Sequence, residues 1–363
     1  MIQNNIAERR HFSRQATQAS VSVILCTHNP RSDYLSRVLK SLHGQTLPAE
    51  RWEFLLIDNA SSRPLAESWN ISWHRGGRHI REDELGLTAA RLRGIKESRG
   101  KLLIFVDDDN ELAPDFLDQA VAIAARSGNL GVFGAGILEP EFEVQPSVEL
   151  RPFLGLLALR SVSSALQSGN PKDTRCIPWG AGLCVTRRVA NFYEYFVRDL
   201  GVRAVLDRRG GRLFCGGDDL FSRIAVEIGL EFGVLPELRI THLIPASRLN
   251  QRHLLRLIHD HALSHGVLGY LLDGIQPGRT ENLADYVSLF LHAIKKGLFS
   301  VKCRWAASRG KVEAARFVSA KSLRPLDRRR NIYDPNQRKR FPAWLQFAPI
   351  IPLIQTLVEA GFQ

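Results

Sequence analysis

The sequence has few cysteines, and they lack the spacings that make cysteine structural. Its 363 residues include five cysteines, an odd number with no CxxC pair. This excludes a disulfide framework and argues against a structural zinc site. We interpret all five as reduced thiols: Cys26, Cys176, Cys184, Cys215 and Cys303.

The N-terminus has no apolar run. Residues 1–20, MIQNNIAERRHFSRQATQAS, have no hydrophobic segment of the kind found in secretory signals. The chain also has no internal repeat and no low-complexity segment. We therefore expect a cytoplasmic globular protein, with residues 1–19 as an N-terminal extension.

The net charge of +12 is confined to one late segment. Residues 295–340 contain fifteen Lys and Arg against three Asp and Glu, which accounts for the whole surplus. The remainder is electrically balanced. A local excess of this kind indicates attraction to an anionic partner. Nucleic acid is not expected, because no recognised binding motif accompanies the charge.

An apolar run follows the basic segment but does not read as a membrane-spanning helix. Residues 341–362 contain Trp344, and Pro349 and Pro352 interrupt the run. A basic segment next to a Trp-containing apolar one is typical of an anchor on an anionic lipid surface, which would place the protein at the inner face of the cell membrane. The alternative is a basic helical subdomain that packs on the rest of the chain or on a second subunit.

Strand and helix alternate over the first half of the chain. Apolar strands are predicted at 21–28, 52–58, 101–107 and 232–245, and helices at 34–45, 87–100, 113–128 and 215–229, with a looser alternation from residue 130 onwards. Strands that are apolar throughout are typical of a parallel sheet covered on both faces, so the predicted fold class is α/β, doubly wound. After Asn250 the sequence is helical and basic, and we place a domain boundary there.

Three aspartates follow the most apolar strand. In alternating strand geometry Asp107 and Asp109 point to one side and Asp108 to the other. The next helix starts near Pro114, too far away for these residues to cap it. Two carboxylates on one side of the strand suit a divalent cation, because adjacent negative charges need compensation. Two other predicted strands end in polar residues at the same edge of the sheet, where open α/β folds bind ligands.

Six motifs, taken in order, resemble family 2 glycosyltransferases with the GT-A fold, and the later stretch LPELRITHLIPASRL is similar to a subgroup of bacterial members. The motifs are VSVILCTHNP, LLIDNASS, GLTAARLRGI, GKLLIFVDDDN, WGAGLCVTRR and GGDDLFSRIAVEIG. The resemblance implies a Rossmann-like mixed sheet flanked by helices, with a helical C-terminal extension. It places the catalytic domain at 20–250, with a nucleotide-sugar half at 20–137 and an acceptor half at 138–250, followed by the region 251–363.

The resemblance also implies roles for the residues at the sheet edge. Mn²⁺ or Mg²⁺ would be held by Asp109 and Asp107, with His242 either as a further ligand or as a structural histidine. Arg91 is a weaker candidate for the nucleotide, because Leu92 replaces the Asn that usually follows it in the family. The complete nucleotide-binding set is Thr27, Asn29, Asp58, Arg91, Asp107 and Asp108.

A carboxylate at the start of the helix 215–229 would be the general base. Both Asp218 and Asp219 fit, and we favour Asp218; the alternative is that they cap the helix. Trp179, Gly180 and Gly182 are candidates for the acceptor side, where a glycine lets backbone approach a sugar and an indole stacks on it. A tight turn with a core tryptophan explains these three residues equally well.

Taken together, the sequence predicts an inverting, metal-dependent glycosyltransferase. It would move a sugar from a UDP or dTDP sugar to a saccharide or lipid-linked acceptor, in surface polysaccharide synthesis. Two alternatives remain open: a nucleotidyltransferase, although CTHNPRSD is not a glycine-rich phosphate loop, and a sugar-nucleotide-binding protein that has lost catalysis.

Overall fold

A computed structural model describes residues 20–199, 216–278 and 298–320. Its centre is one mixed ten-stranded sheet in the order β3-β2-β1-β4-β9-β6-β10-β5, with β7 paired to β6 and β8 paired to β10. The strands are β1 (Val21–Thr27), β2 (Trp52–Asn59), β3 (Gly77–Glu82), β4 (Leu102–Val106), β5 (Asn110–Leu112), β6 (Leu130–Phe142), β7 (Arg160–Ser161), β8 (Leu166–Ser168), β9 (Leu183–Thr186) and β10 (Glu231–Ile244).

The N-terminal half of the sheet is parallel. Strands β1, β2 and β4 are buried along their whole length, as their mostly apolar sequences predict. Strand β3 escaped prediction because, within GRHIRE, only Ile80 is buried. It lies at the edge of the sheet, where polar and charged side chains reach solvent.

Helices cover both faces of this sheet. The described helices are α1 (Ser32–His43), α2 (Leu87–Glu97), α3 (Phe116–Arg126), α4 (Arg187–Asp199), α5 (Gly217–Glu227), α6 (Gln251–Asp273) and α7 (Leu298–Ala320). Apolar side chains of α1 and α3 form a core on one face of the sheet, and those of α2, α4 and α5 form a core on the other. The predicted fold class is therefore confirmed: an α/β protein with a mixed sheet between two helical layers and a helical C-terminal part.

Strand β10 lies between β6 and β5 in the sheet. It runs parallel to β6 and antiparallel to the short β5, where His242 pairs with Asn110. Because β5 directly follows the three aspartates, this pairing brings the end of β10 beside them.

The helical C-terminal part packs on the sheet-bearing part of the chain. The side chain of Asn250 caps α6 by accepting a hydrogen bond from the His253 backbone N–H (2.9 Å). Apolar residues of α6 join the core formed by α4 and α5. Helix α7 packs against α6 so closely that a Cβ on Gly310 would lie 2.2 Å from the backbone oxygen of His259.

Two predictions concern parts of the chain that the structure covers incompletely. No helix in the described ranges is long and apolar enough to cross a membrane. The N-terminal extension 1–19, the end of the basic segment and the apolar run 341–362 lie outside the described residues.

The free-thiol interpretation is confirmed for four buried cysteines, and Cys215 lies outside the described residues. Burial raises the pKa of the Cys26 thiol to about 12.

Candidate active site

Parallel pairing brings polar residues from three strands to one edge of the sheet. Thr27 pairs with Asp58 across β1 and β2, and Leu25 pairs with Val106 across β1 and β4. The residues that follow Val106 therefore lie beside the end of β1. We call Thr27, Asp58 and Asp107 to Asp109 the acidic edge.

The three aspartates do not alternate as strand residues. Strand β4 ends at Val106, and the Asn110 N–H donates to the Asp107 carbonyl oxygen (3.3 Å), which closes a turn. The prediction that Asp107 and Asp109 share one side of a strand is therefore wrong, because the chain turns before the alternation can continue. Each carboxylate has its own surroundings.

Asp108 faces β1. Its carboxylate accepts a hydrogen bond from the Thr27 hydroxyl. The pKa of Asp108 is raised to about 6, first by burial and then by the neighbouring Asp109 carboxylate, and the Thr27 hydrogen bond opposes the shift. The hydrogen bonds and positive charges around Asp108 therefore do not fully compensate the negative charge at the acidic edge.

Asp109 faces the end of β10. Its Oδ2 lies 2.9 Å from Arg248 Nη2 and 3.6 Å from His242 Nε2, and its backbone oxygen accepts from the Leu243 N–H (2.8 Å). Two of the three residues predicted as metal ligands, Asp109 and His242, are thus neighbours. The sequence did not single out Arg248, because its contact with Asp109 depends on the pairing of β10 with β5.

Asp58 is almost fully enclosed by donors. One carboxylate oxygen accepts from the Ser61 N–H (3.0 Å), and the other accepts from the Leu65 N–H (3.0 Å) and from Arg81 Nη1 (2.7 Å). Burial raises the pKa of Asp58, but the hydrogen bonds from Ser61, Leu65 and Arg81 outweigh it, so the net shift is downward. Asp58 remains charged and fixes the loop after β2. Arg81 lies on the unpredicted strand β3 and was missed for that reason.

Asn29 holds the same loop from the other side. Its φ of 47° lies in the left-handed region that asparagine tolerates. Its side-chain oxygen accepts from the Ser62 N–H (2.8 Å), and its own N–H donates to Ser61 Oγ (2.9 Å). Asn29 and Asp58 therefore shape one wall beside the acidic edge.

Arg91 and Asp218 join two distant parts of the chain. Arg91 Nη1 donates to Asp218 Oδ1 (2.7 Å), and the Gly180 N–H donates to Asp218 Oδ2 (2.8 Å). Arg91 is only 4% exposed. Burial lowers the pKa of this guanidinium, but the carboxylates of Asp218 and Asp107 raise it above its usual value. Arg91 therefore remains charged, and the structure places it against the candidate base.

Both candidate glycines occupy positions that exclude a side chain. A Cβ on Gly180 would lie 2.5 Å from Arg91 Nη2 and 3.0 Å from the Asp218 carboxylate oxygens. Gly182 has a φ of +64°, and its Cβ would lie 2.4 Å from Ile240 Cδ1. Gly180 thus allows backbone to approach the Asp218 carboxylate, whereas Gly182 serves the packing of the sheet.

Trp179 is half-buried next to this turn. The guanidinium carbon of Arg160 lies 4.0 Å from its ring centroid, within the range of a cation–π contact. Burial lowers the pKa of Arg160 to about 10. The indole therefore combines core packing with a cationic partner on one ring face.

Asp219 lies next to Asp218 but faces different groups. The cap residue of α5 is Gly216, with no side-chain capping bond, so neither aspartate acts as the cap. Asp219 is 6% exposed, and its Oδ2 lies 3.5 Å from Arg223 Nε. Its Oδ1 is buried without a hydrogen-bond partner among the described residues. Burial raises the pKa of Asp219, and the ion pair with Arg223 opposes this.

The candidate residues thus form two groups. Thr27, Asp108, Asp109 and His242 meet at the acidic edge, whereas Gly180, Arg91 and Asp218 meet beside it. Asp107 connects the groups, because its charge acts on Arg91. Within the described ranges, no group of three or more His, Cys, Asp and Glu side chains is arranged to hold a metal ion.

Comparison with known proteins supports the resemblance read from the motifs. Residues 22–168 match the family model described as glycosyl transferase family 2. Glycosyltransferase AglE of Haloferax volcanii is 28% identical over 116 residues, which cover 31% of this chain and 38% of that protein. The O-antigen biosynthesis protein RfbC of Myxococcus xanthus is 30% identical over 133 residues, covering 34% of this chain and 10% of that protein.

Two solved structures align with most of this chain at low identity. The mannosyltransferase PcManGT of Pyrobaculum calidifontis, in complex with GDP-Man and Mn²⁺, has a TM-score of 0.48 and 14% identity, covering 88% of this chain and 94% of that one. S. aureus TarS 1-349 in complex with UDP-GlcNAc has a TM-score of 0.45 and 13% identity, covering 84% and 92%.

The sequence comparisons cover one part of the chain. The match to the curated relatives spans less than two fifths of their own length. The family model begins at β1 and extends to β8, so it includes the whole acidic edge. The similarity to glycosyl transferase family 2 is therefore found over residues 22–168 of this chain.

Proposed function

We propose that the chain is a glycosyltransferase that moves a sugar from a UDP or dTDP sugar to a saccharide or lipid-linked acceptor. The observation that carries this proposal is the position of the Asp218 carboxylate beside Gly180, next to an acidic edge built from the ends of β1, β2 and β4. The family match of residues 22–168 and the glycosyltransferase and O-antigen names of two relatives support the same conclusion.

The nucleotide belongs at the acidic edge. Asn29 and Asp58 order the loop after β2, so that the ends of β1 and β2 form a fixed wall. In open α/β sheets ligands bind at this edge. We assign the base and ribose to the side of Thr27, Asp58 and Asp108.

A divalent cation fits the donor set at Asp109. Carboxylate oxygens from Asp109 and Asp107 and an imidazole nitrogen from His242 are the ligand types that Mn²⁺ takes, and Mg²⁺ takes the oxygens. His242 is 5% exposed, and its Nδ1 has no hydrogen-bond partner among the described residues. One nitrogen of this buried ring therefore lacks the polar contact that a ligand would supply. When bound there, Mn²⁺ or Mg²⁺ would supply positive charge to the departing diphosphate.

Asp218 is the proposed general base. It is 29% exposed, whereas Asp219 is buried and directed toward Arg223. In an inverting transfer, a carboxylate takes the proton of the acceptor hydroxyl as its oxygen bonds to the anomeric carbon. The bond from that carbon to the nucleoside diphosphate breaks on the opposite face. Arg91 and the Gly180 N–H would hold Asp218 in position for this step, with Gly182 and Trp179 beside it on the acceptor side.

The proposed setting is the cytoplasmic face of the cell membrane. The outward side of α7 exposes Lys302, Trp305, Arg309 and Arg316, and the guanidinium of Arg309 lies 4.8 Å from the Trp305 ring centroid. A basic, Trp-containing surface suits anionic lipid, and a lipid-linked acceptor would be found there. The role in surface polysaccharide synthesis follows from that acceptor class.

One assay separates this function from its alternatives. The full chain is incubated with UDP and dTDP sugars, with Mn²⁺ or with EDTA, and the nucleoside diphosphate released by slow hydrolysis is measured. Asp218→Asn should bind the donor, as a thermal shift reports, yet lose release, whereas Asp83→Asn at an exposed position should keep both. A parallel reaction supplies a nucleoside triphosphate and a sugar 1-phosphate, and release of pyrophosphate from that mixture would indicate a nucleotidyltransferase instead. Donor binding without any release would indicate a binding protein that has lost catalysis.

A further inference from the structure

The carboxylate proposed to hold a divalent cation already has a cationic partner. Arg248 Nη2 lies 2.9 Å from Asp109 Oδ2, and Arg248 Nη1 lies 3.3 Å from His242 Nε2. The distance from His242 Nε2 to Asp109 Oδ2 is 3.6 Å. The guanidinium therefore contacts both atoms that a cation shared by Asp109 and His242 would need.

A guanidinium and a divalent cation cannot use these two atoms together. A metal ion at bonding distance, roughly 2.0 to 2.2 Å, takes the lone pairs that now face the Arg248 N–H groups. The two cations would also repel each other at this separation. Occupation of Asp109 by Arg248 therefore excludes a metal ion shared with His242, and the reverse also holds.

Burial explains why the guanidinium is needed when the metal is absent. The side chain of Asp109 is 10% exposed, and a carboxylate removed from water is costly unless an opposite charge compensates it. Arg248 supplies that charge. Its own side chain is 33% exposed, so the guanidinium can swing into solvent once another cation takes over.

The backbone that carries Arg248 is fixed on both sides. The Arg248 N–H donates to the Pro245 carbonyl oxygen (2.9 Å), and the Ala246 N–H donates to Glu143 Oε2 (2.7 Å). Glu143 is in turn held by Arg31 (3.0 Å). Opening the site therefore requires only side-chain rotation of Arg248.

We propose that Arg248 keeps the cation site at Asp109 closed and that a divalent cation opens it by displacing the guanidinium. This proposal rests on the assignment of Asp109 as cation ligand in the proposed function. The displaced guanidinium would remain tethered at the same edge of the sheet, where it becomes available to an anionic group such as a diphosphate. Binding of metal and binding of a phosphate-bearing donor would then strengthen each other through one side chain.

The test measures Mn²⁺ binding to the full-length protein without nucleotide, by electron paramagnetic resonance of free Mn²⁺. Arg248→Gln removes the competing charge and should tighten Mn²⁺ binding about tenfold if the closed form makes up about nine tenths of the free protein. Arg248→Lys, which keeps a charge but not the forked contact, should fall between the two. Arg239→Gln removes a more exposed arginine, on β10, that is paired at 3.7 Å with Asp115, and should leave Mn²⁺ affinity unchanged.

A second set of variants assigns the effect to Asp109. Asp109→Asn should abolish the tight site, and adding Arg248→Gln to it should restore nothing. Equal or weaker Mn²⁺ binding by a folded Arg248→Gln, with Arg248→Lys behaving likewise, would overturn the proposal; circular dichroism and melting establish that these variants fold. Because no sugar is transferred in this experiment, its failure is distinct from failure of the donor assay. Tighter Mn²⁺ binding by Arg248→Gln in a chain that releases no diphosphate would retain the closed site and contradict the transferase.

Discussion

Arg91 and Asp218 form a partly buried ion pair between helices α2 and α5, with 2.7 Å between Nη1 and Oδ1. The sequence assigned these residues to two separate tasks, nucleotide binding and proton transfer. In the folded chain, the Arg91 guanidinium holds the Asp218 carboxylate in place. A residue with a candidate catalytic role therefore also contributes to stability, and the two contributions have to be separated by experiment.

Removing the carboxylate should destabilise the protein more than removing its charge. Asp218→Ala removes the carboxylate that is hydrogen-bonded to the buried Arg91 guanidinium, and removing one partner of a buried pair costs about 3 kcal/mol. Asp218→Asn keeps a hydrogen-bond acceptor for Arg91 and should cost less. Urea unfolding of both variants measures the difference.

The matched control is Asp33→Ala. Asp33 also pairs with an arginine, at 2.6 Å, but its side chain is 57% exposed, and exposed pairs contribute little. Equal losses of stability for Asp218→Ala and Asp33→Ala would contradict a structural role of the buried pair.

Gly180→Ala should disrupt the same group of residues from the side of the turn. The added Cβ would lie 2.5 Å from Arg91 Nη2, so the guanidinium or the turn has to move. We expect a clear drop in melting temperature and weaker donor hydrolysis. Gly128→Ala is the control, because no heavy atom lies within 4 Å of a Cβ placed there. A Gly180→Ala protein that melts and works like Gly128→Ala would show that the turn adapts freely.

The sheet could be predicted because strands that are buried on both faces have mostly apolar sequences. Strands β1, β2 and β4 are mostly apolar, and each was placed within about two residues of its observed ends. Strand β3 carries one buried residue, and β5 has three residues in all. Neither is long or apolar enough to stand out from a loop.

The contacts of the site could be predicted only in part. The sequence identified Asp109 and His242, but the turn at Asp107 depends on the backbone hydrogen bond from Asn110. The arginines that hold the carboxylates, Arg81 and Arg248, sit in sequence contexts that look like ordinary surface charges. Their partners are 23 and 139 positions away along the chain, and only the strand order brings them together.

The pKa shift of Asp219 predicts how stability depends on pH. Burial raises the pKa of this carboxyl in the folded protein, so the folded state binds its proton more tightly than the unfolded state does. Asp219 therefore destabilises the protein at neutral pH, and this penalty disappears as the pH falls below the folded pKa toward the usual value. Asp219→Asn, which mimics the protonated form, should be at least as stable as the wild type at pH 7.5, with the difference shrinking toward pH 4.

Thermal melting across this pH range measures the effect. Asp83→Asn, at a side chain that is 86% exposed, provides the comparison and should follow the wild-type profile. If Asp219→Asn is instead less stable at neutral pH, the ion pair with Arg223 outweighs burial, and the sign of the predicted shift is wrong.

Binding to anionic vesicles should depend on the outward face of α7. Lys302, Arg309 and Arg316 lie on one side of this helix with Trp305, all exposed, and each cation near an anionic bilayer contributes about 1 kcal/mol. Reversing all three to Glu should lower binding to phosphatidylglycerol-containing vesicles by at least about tenfold. Reversing Arg63, Arg75 and Arg99, three exposed arginines elsewhere, makes the same change in net charge and should have a much smaller effect.

Removing residues 341–363 should also release the chain if the apolar run acts as the anchor predicted from the sequence. Co-sedimentation with neutral and anionic vesicles separates these contributions, and an intact protein that binds neither vesicle would rule out the membrane contact.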